Sequence, residues 1–538
     1  TPTKSSAASD VYKRQNLETS GVIIDNLPVG SNAIAVNAPF TSDDATRLAI
    51  NSHQPTTGPV AWYEAHIQSE EGLNIMGGLF PSSPTIGVGF NENLAWGATV
   101  NKPDLVDIFA LTTNAKEPDK YLLDGRWRSF REKTIKIKVK LFGFLPWQVK
   151  RKALYTEHGP AIETPHGIYA IRYAGMGEVK QIEQWLAMNK ATNFEEWLAA
   201  LAQHTFASFN FVYSDKDGNI AFIHNSMTPV RIPGYNWHNY LPGDKSSLIW
   251  DSYISFEKLP MVINPSSGYL ISANQSPFFV TSDKDNPDRK NYSNEDGFPT
   301  RMTNRAVRGL ELLSELDKID ERTFSAIKHD KKYSKNSRAY KYLEKAMLAD
   351  LGDLNTQKHE IYANAQTILK KWDLSTDKNN RGAALGTCII GAEWLAEQQG
   401  ENPPDPSGEL KRCTDLLLDK IGRIDPKWGE VNRHIRGEIN VALGGGPDTL
   451  RAIYGLGLEE KGYLTNIAGD GLYYLVSWDK DKKQKVLGIH QFGSATLDEN
   501  SPHYADQALD FANEILHDPL FDANKRQQKL DRRYRPGQ

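Results

Sequence analysis

Residues 303–437 read as helices, and they interrupt a chain that reads as strands on either side. In 304–316, Val307, Leu310, Leu313 and Leu316 recur at helical spacing, and 338–351, 359–372, 382–399 and 410–421 carry the same period. Ahead of them, short apolar runs at 32–36, 47–50, 61–68, 85–90 and 95–100 alternate with glycine, proline and asparagine. Residues 133–140 alternate strictly, Thr-Ile-Lys-Ile-Lys-Val-Lys, and 147–156 continue the β character. Two helices are predicted at 180–188 and 193–201. A hairpin follows, with strands 209–213 and 220–224 around an Asp-Lys-Asp-Gly-Asn turn at 215–219. Strands return at 472–478 and 486–489, before a closing helix at 504–516. Strands at both ends with helices between predict a layered α+β core whose last strands complete its first sheet. The expected divisions are 1–30, a scar and spacer; 31–302, the first part of the core; 303–437, the helical insertion; and 438–538, the return to the core sheets.

Composition excludes several classes. The net charge of −4 over 538 residues does not suit a polyanion binder. Basic and acidic clusters are short and interspersed, so they read as solvated surface, and neither nucleic acid nor membrane is an expected partner. The two cysteines, Cys388 and Cys413, lie in helical patterns without a C-x-x-C, and reduced thiols are expected in preference to a bridge. Residues 1–15 are polar and hold no apolar signal segment; the string from Ser9 to Gln15 reads as an assembly scar. There is no G-x-S-x-G elbow, H-E-x-x-H zinc site or lysine-bearing phosphate loop. The run Gly444-Gly-Gly-Pro-Asp448 reads as a strand-to-helix turn. His503, three residues before Asp506, reads as a structural hydrogen bond.

What remains is the joint Gly30-Ser31, followed at once by the strand-like Ala33 to Val36. If the bond before Ser31 is cut, Ser31 carries both a hydroxyl and an amine with an unperturbed pKa of about 7.7–8.0. Such an amine accepts the hydroxyl proton near neutral pH, which makes the residue a self-contained nucleophile. A Gly-Ser pair alone is as readily a turn before a strand. It gains weight from stretches at long spacing: Asn51-Ser-His-Gln-Pro55, Trp62-Tyr-Glu-Ala65, Leu94 to Asn101, Asp104-Leu-Val-Asp107, Asn264-Pro265, Ser272-Ala-Asn-Gln-Ser-Pro277, Gly444 to Leu450 and Ser501 to Gln507. In these stretches, from about Gly30 to Phe521, the chain resembles the penicillin acylase family of N-terminal-nucleophile amidohydrolases.

The resemblance implies an αββα sandwich with a helical insertion, and amide hydrolysis by acyl transfer to Ser31. His53 matches the position that holds the amino group and hydroxyl in register. Histidine there looks more like acylases of acyl-homoserine lactones, cephalosporins or lipopeptides than penicillin G acylases. Val100 matches the backbone N–H donor of the oxyanion hole and Asn274 its side-chain donor; losing such a donor costs roughly 10²–10³ in kcat. Arg305 matches the arginine that orients Asn274, with Arg301 and Arg308 as competitors. Phe206 and Phe209 are the expected acyl-pocket residues. One calcium ion is implied, held by Asp104, Asp107, Asp285 and the carbonyls of Val106 and Pro229. No organic cofactor is implied. A small subunit from the same precursor and a periplasmic or secreted location are. Ser83 stands where the family usually has glycine. The leading activity is acyl-homoserine lactone acylase; penicillin, cephalosporin or lipopeptide acylases and a non-catalytic binding protein on the same fold are the alternatives.

Overall fold

In the computed structural model, residues 30–493, 497–530 and 532–535 are described. Of the expected 1–30 segment, only Gly30 lies among them. Two sheets stack face to face. The first orders its strands Tyr269–Ser272, Ser31–Val36, Thr46–Ser52, Tyr473–Trp478 and Gln484–Ile489, all neighbours antiparallel. The last two strands thus close the sheet that the first two begin. The second sheet has seven strands and runs from Met261–Ile263 through Ile220–Ser226, Ser208–Asp215, Leu94–Thr99, Val88–Phe90 and Leu73–Leu79 to Tyr63–Ser69.

The strand carrying Ser31 is buried on both faces. Ala33 and Ala35 point to the second sheet, while Ile34 and Val36 point to a helical layer, as the two-residue period of a strand requires. Small residues let the sheets approach. A Cβ on Gly97 would stand 3.1 Å from that of Ala33. The outer face of the first sheet is covered by the helices Asn304–Ser314 and Glu321–Lys328, through Leu313, Phe324 and Ile327. The outer face of the second is covered by Gln181–Lys190 and Phe194–Leu201, with Trp197 against Phe211 and Tyr213. This is the αββα sandwich that the resemblance implies.

The helices Arg338–Leu348, Thr356–Lys371, Ala383–Gln399 and Pro406–Ile421 hold a second core of their own, around Leu343, Leu369, Ile389, Leu410 and Trp428. Gly386 lies under the Trp372 ring, where any Cβ would come within 2.1 Å of a ring carbon.

Three expectations about the fold need correction. The run Gly444-Gly-Gly-Pro-Asp448 leads from the strand Ile439–Ala442 to the strand Ile453–Leu456 and not into a helix. Cys388 and Cys413 form a disulfide, with Cα atoms 5.9 Å apart, because their two helices pack side by side. The closing helix spans only Ala508–Asn513, since turns occupy the Ser501-Pro502 stretch ahead of it. There His503 does hydrogen-bond Asp506, at 2.8 Å.

Candidate active site

Ser31 begins an interior strand of the first sheet, next to its central strand Thr46–Ser52, and pairs with Ser52. It is buried. Its hydroxyl donates to the Gly30 carbonyl, and its N–H donates to Asn274 Oδ1 at 2.7 Å. Asn274 ends a turn in left-handed backbone, φ +67°, a conformation that asparagine tolerates better than other side chains. Such outliers persist where the surroundings over-determine them. Here three groups do. Arg305 Nη2 donates to Asn274 Oδ1 at 3.0 Å, Asn274 Nδ2 donates to the Val100 carbonyl at 2.6 Å, and Arg301 Nε donates to the Asn274 carbonyl at 3.2 Å. Two donors converge on Oδ1, which fixes which end of the amide is oxygen.

Arg305 is the hub. Its side chain is 2% exposed. Nη1 donates to the Ser31 carbonyl at 2.6 Å and to Asn32 Oδ1 at 2.9 Å, and Nε donates to Asp448 Oδ1 at 3.0 Å. Arg308, by contrast, pairs with Asp330 away from Asn274. Asp448 sits in the glycine-rich turn read from sequence as merely structural, itself at φ +56°, and also accepts from the Asn304 N–H at 2.7 Å. The turn has a second link to the site, since Asn32 Nδ2 donates to the Leu450 carbonyl.

His53 closes the other side. It is fully buried, and Nε2 lies 3.1 Å from Asp470 Oδ1. Burial pulls its pKa down from 6.5 to about 4, against the pull of Asp470, so the ring is neutral at pH 7. A neutral ring that gives its Nε2 proton to a carboxylate keeps an acceptor at Nδ1. That Nδ1 has no hydrogen-bond partner among the described residues, and a Cβ on Gly30 would sit 3.2 Å from it and 3.0 Å from Arg305. The Gly30–Ser31 peptide is therefore flanked by a guanidinium and the Nδ1 of His53, and a side chain on residue 30 would have to push one of them aside.

Asp470 also accepts from Asn51 Nδ2 at 2.8 Å, Lys328 Nζ at 2.5 Å and Arg451 Nη1 at 2.7 Å. Burial alone would raise its pKa, but Lys328 and Arg451 hold it well below the usual carboxylate range. Burial lowers Lys328 to about 8. Asp448, Asp470, Lys328 and Arg451 were not foreseen from sequence. Asp448 lay within a flagged stretch; the other three carry no local signal.

The remaining candidates fall as follows. Phe206 and Phe209 pack on Trp185 beneath the outer helical layer, with Phe206 4.5 Å from it between centroids. Neighbouring Asn210 pairs with Thr99, one residue before Val100, so both lie at the site's end of the second sheet. Two surface clefts of about 760 and 740 Å³ lie elsewhere, and Ser31 lines neither.

Of the implied calcium ligands, Asp104 and Asp107 gather around Arg231. Asp107 is fully buried and accepts from Arg231 Nε at 3.0 Å and Trp250 Nε1 at 2.7 Å. Arg231 also donates to the Asp104 carbonyl at 2.8 Å, and its Nη2 lies 3.5 Å from the Asp104 carboxylate. The guanidinium thus lies among the acceptors that the ion would use. Asp285 accepts instead from Ser266 and Ser267, and Pro229 bridges to Tyr253. Among the described residues no three acidic, histidine or cysteine side chains cluster as metal ligands do.

A sequence model of penicillin amidase matches residues 3–528. The chain belongs to the penicillin amidase family. Curated relatives include an acyl-homoserine lactone acylase PvdQ of Pseudomonas syringae pv. tomato, 23% identical over 88% of this chain and 65% of that protein. A penicillin G acylase of Escherichia coli is 32% identical over 44% of this chain and 28% of that protein. The chain thus spans 65% of the length of the PvdQ relative. Among solved structures, a thermostable penicillin G acylase from Alcaligenes faecalis aligns with TM-score 0.66 at 18% identity. The alignment covers 94% of this chain and 99% of that one, and it establishes the fold.

The buried imidazoles predict acid sensitivity. His53, His434 and His490 are each held at about 4, chiefly by burial. The unfolded chain protonates them near 6.5, so between about 6.5 and 4 it binds more protons than the fold. Their contribution is intact above 6.5 and is lost as pH falls towards 4. Melting temperatures at pH 7.5, 6 and 5 should descend in that order; equal values would contradict the assignment.

Proposed function

We propose that this chain is the large catalytic part of an amidohydrolase that frees its own nucleophile at the Gly30–Ser31 bond. Its substrate is an N-acyl compound with an apolar acyl chain, acyl-homoserine lactones first among them. The observation that carries this reading is the convergence of the Ser31 hydroxyl, Asn274, Arg305 and His53 on that one peptide.

In maturation Ser31 Oγ attacks the Gly30 carbonyl carbon. The Oγ–C bond forms, the C–N bond breaks and the hydroxyl proton passes to the departing nitrogen. Water then hydrolyses the ester, leaving Gly30 a carboxylate and Ser31 a free amine. Asn274 Oδ1, already the acceptor for that nitrogen, and His53 Nδ1 hold the new amino group beside Oγ. In turnover the amine takes the Oγ proton as Oγ attacks the substrate carbonyl, and it returns the proton to the leaving amine. The acyl group stays on Oγ until water releases it as an acid. Val100 N–H and the second hydrogen of Asn274 Nδ2, one being spent on the Val100 carbonyl, stabilise the oxyanion.

The substrate reading rests on relatives named for acyl-homoserine lactones along 88% of the chain and on the aromatic cluster of Trp185, Phe206 and Phe209. The rest of such a precursor supplies a small subunit. The disulfide supports a periplasmic or secreted enzyme, since thiols stay reduced in the cytosol.

The test is to express the gene for the whole precursor and sequence the amino terminus of the large fragment. It should begin Ser31-Asn32-Ala33, and any other start overturns the nucleophile. Release of free amine from a panel of acyl-homoserine lactones should exceed that from penicillin G; the reverse order makes it a penicillin-type acylase. Chelation with EDTA tests the calcium ion that the resemblance implies: a fall in melting temperature that calcium restores supports it, and an unchanged melting temperature and rate remove it.

A further inference from the structure

The strands Arg131–Leu141 and Leu145–Tyr155 form a hairpin of eleven facing pairs. At about 3.4 Å per residue it is roughly 35 Å long. Only Leu154 and Tyr155, at its base, pair on to the strand Pro160–Thr164. The register sorts its side chains by face. Ile135, Ile137, Val139 and Leu141 share one face with Leu145, Trp147 and Val149. Lys136, Lys138 and Lys140 share the other with Lys150 and Lys152. Nearly every one of these residues is exposed, and Trp147 is 57% so.

Three details set this hairpin apart from a solvated ribbon. Residues 131–155 hold eight lysines and arginines and one glutamate, within a chain of net charge −4. Lys136 faces Lys150 directly, an arrangement that destabilises a hairpin unless an anion joins it; on that face Lys152 finds a partner in Glu132, at 2.9 Å. At the tip, Phe142 and Gly143 both adopt positive φ, +54° and +79°. Asparagine or aspartate is the usual first residue of such a turn, yet the chain places phenylalanine there, 85% exposed, with Phe144 beside it at 77%.

We propose that this hairpin docks the enzyme on a bilayer with anionic headgroups. It lies in the interface with its aliphatic face and aromatic tip among the acyl chains, and its lysines reach the phosphates. The two-sided pattern is the strand counterpart of an amphipathic interfacial helix. It cannot span, because the lysine face and the open backbone edge have no place in hydrocarbon. A nucleic acid would match the lysines but leave seven aliphatic and aromatic side chains in water. The reading of these lysines as solvated surface, with no membrane partner, is thereby revised. The docking does not depend on which acyl group the enzyme takes.

The test uses the matured enzyme with its partner subunit, floated with phosphatidylcholine vesicles with and without about a third phosphatidylglycerol. Binding should require the anionic lipid and fall at least tenfold when salt is raised from low to several times physiological strength. A Phe142→Ser, Phe144→Ser, Trp147→Ser variant should bind at least tenfold more weakly. A Lys136→Gln, Lys138→Gln, Lys150→Gln variant should lose the salt dependence. Both should melt within a few degrees of the parent, since these side chains leave the cores untouched. Absent binding by the parent, unchanged binding by the serine variant, or binding only when the partner subunit is missing would overturn the proposal. Preferential displacement from vesicles by duplex DNA would overturn it equally.

Discussion

Replacing Ser31 with alanine should leave the precursor uncut at Gly30–Ser31 and reduce amide hydrolysis to background. The expected loss is on the order of 10⁶-fold in kcat, as for other serine nucleophiles that act as a unit with their base. The effect is chemical rather than structural. The Ser31 hydroxyl donates only to the carbonyl of the neighbouring Gly30, while the strand pairing, the Asn274 contact and the Arg305 contact all use the backbone of residue 31. Stability should change by about 1 kcal/mol or less. Mass spectrometry of the purified protein reads the cut, and a melt reads the fold. Ser31→Cys separates the two steps, because a thiol is the stronger nucleophile: it should still cut itself. An alanine variant that matures and hydrolyses like the parent would remove Ser31 from the chemistry.

The framework of this site is legible in the chain because strand alternation and helical spacing are local signals. Ile34 and Val36 opposite Ala33 and Ala35 announce a strand buried on both faces, and the return of strands near residue 472 announces closure of the first sheet. The carboxylates behind the site are not legible in that way. Asp470 meets His53 across more than four hundred residues of chain, and nothing around Asp470 distinguishes it from any other turn aspartate. Lys328 lies in a helix, Glu321–Lys328, that the periodicity reading omitted. The disulfide was missed for a related reason. Two cysteines in helical runs look like core residues until the packing of the two helices sets their Cα atoms 5.9 Å apart. The exposed hairpin reverses the lesson. Its alternation was plain, but which residues share a face across two strands is a matter of register, and that comes only with the turn.

Arg305 yields the sharpest separation of folding from catalysis. Arg305→Ala should destabilise the protein by about 3–5 kcal/mol, because the Asp448 carboxylate, 2% exposed, loses the cation beside it. Arg305→Lys restores the charge but not the fork. An ammonium can meet Asp448, yet it cannot at once reach the Ser31 carbonyl, Asn32 Oδ1 and Asn274 Oδ1, which the guanidinium holds from two further nitrogens. Asn274 would then be free to turn its amide. In the proposed mechanism that amide acts on charge present only in the transition state, so the defect should fall on kcat, by roughly 10²-fold, with KM little changed. The lysine variant should recover most of the melting temperature lost in the alanine variant. Full kcat in Arg305→Lys would mean that Asn274 is oriented by Ser31 and Val100 alone. An equal loss of stability in both variants would mean that the fork, rather than the charge, keeps Asp448 in place.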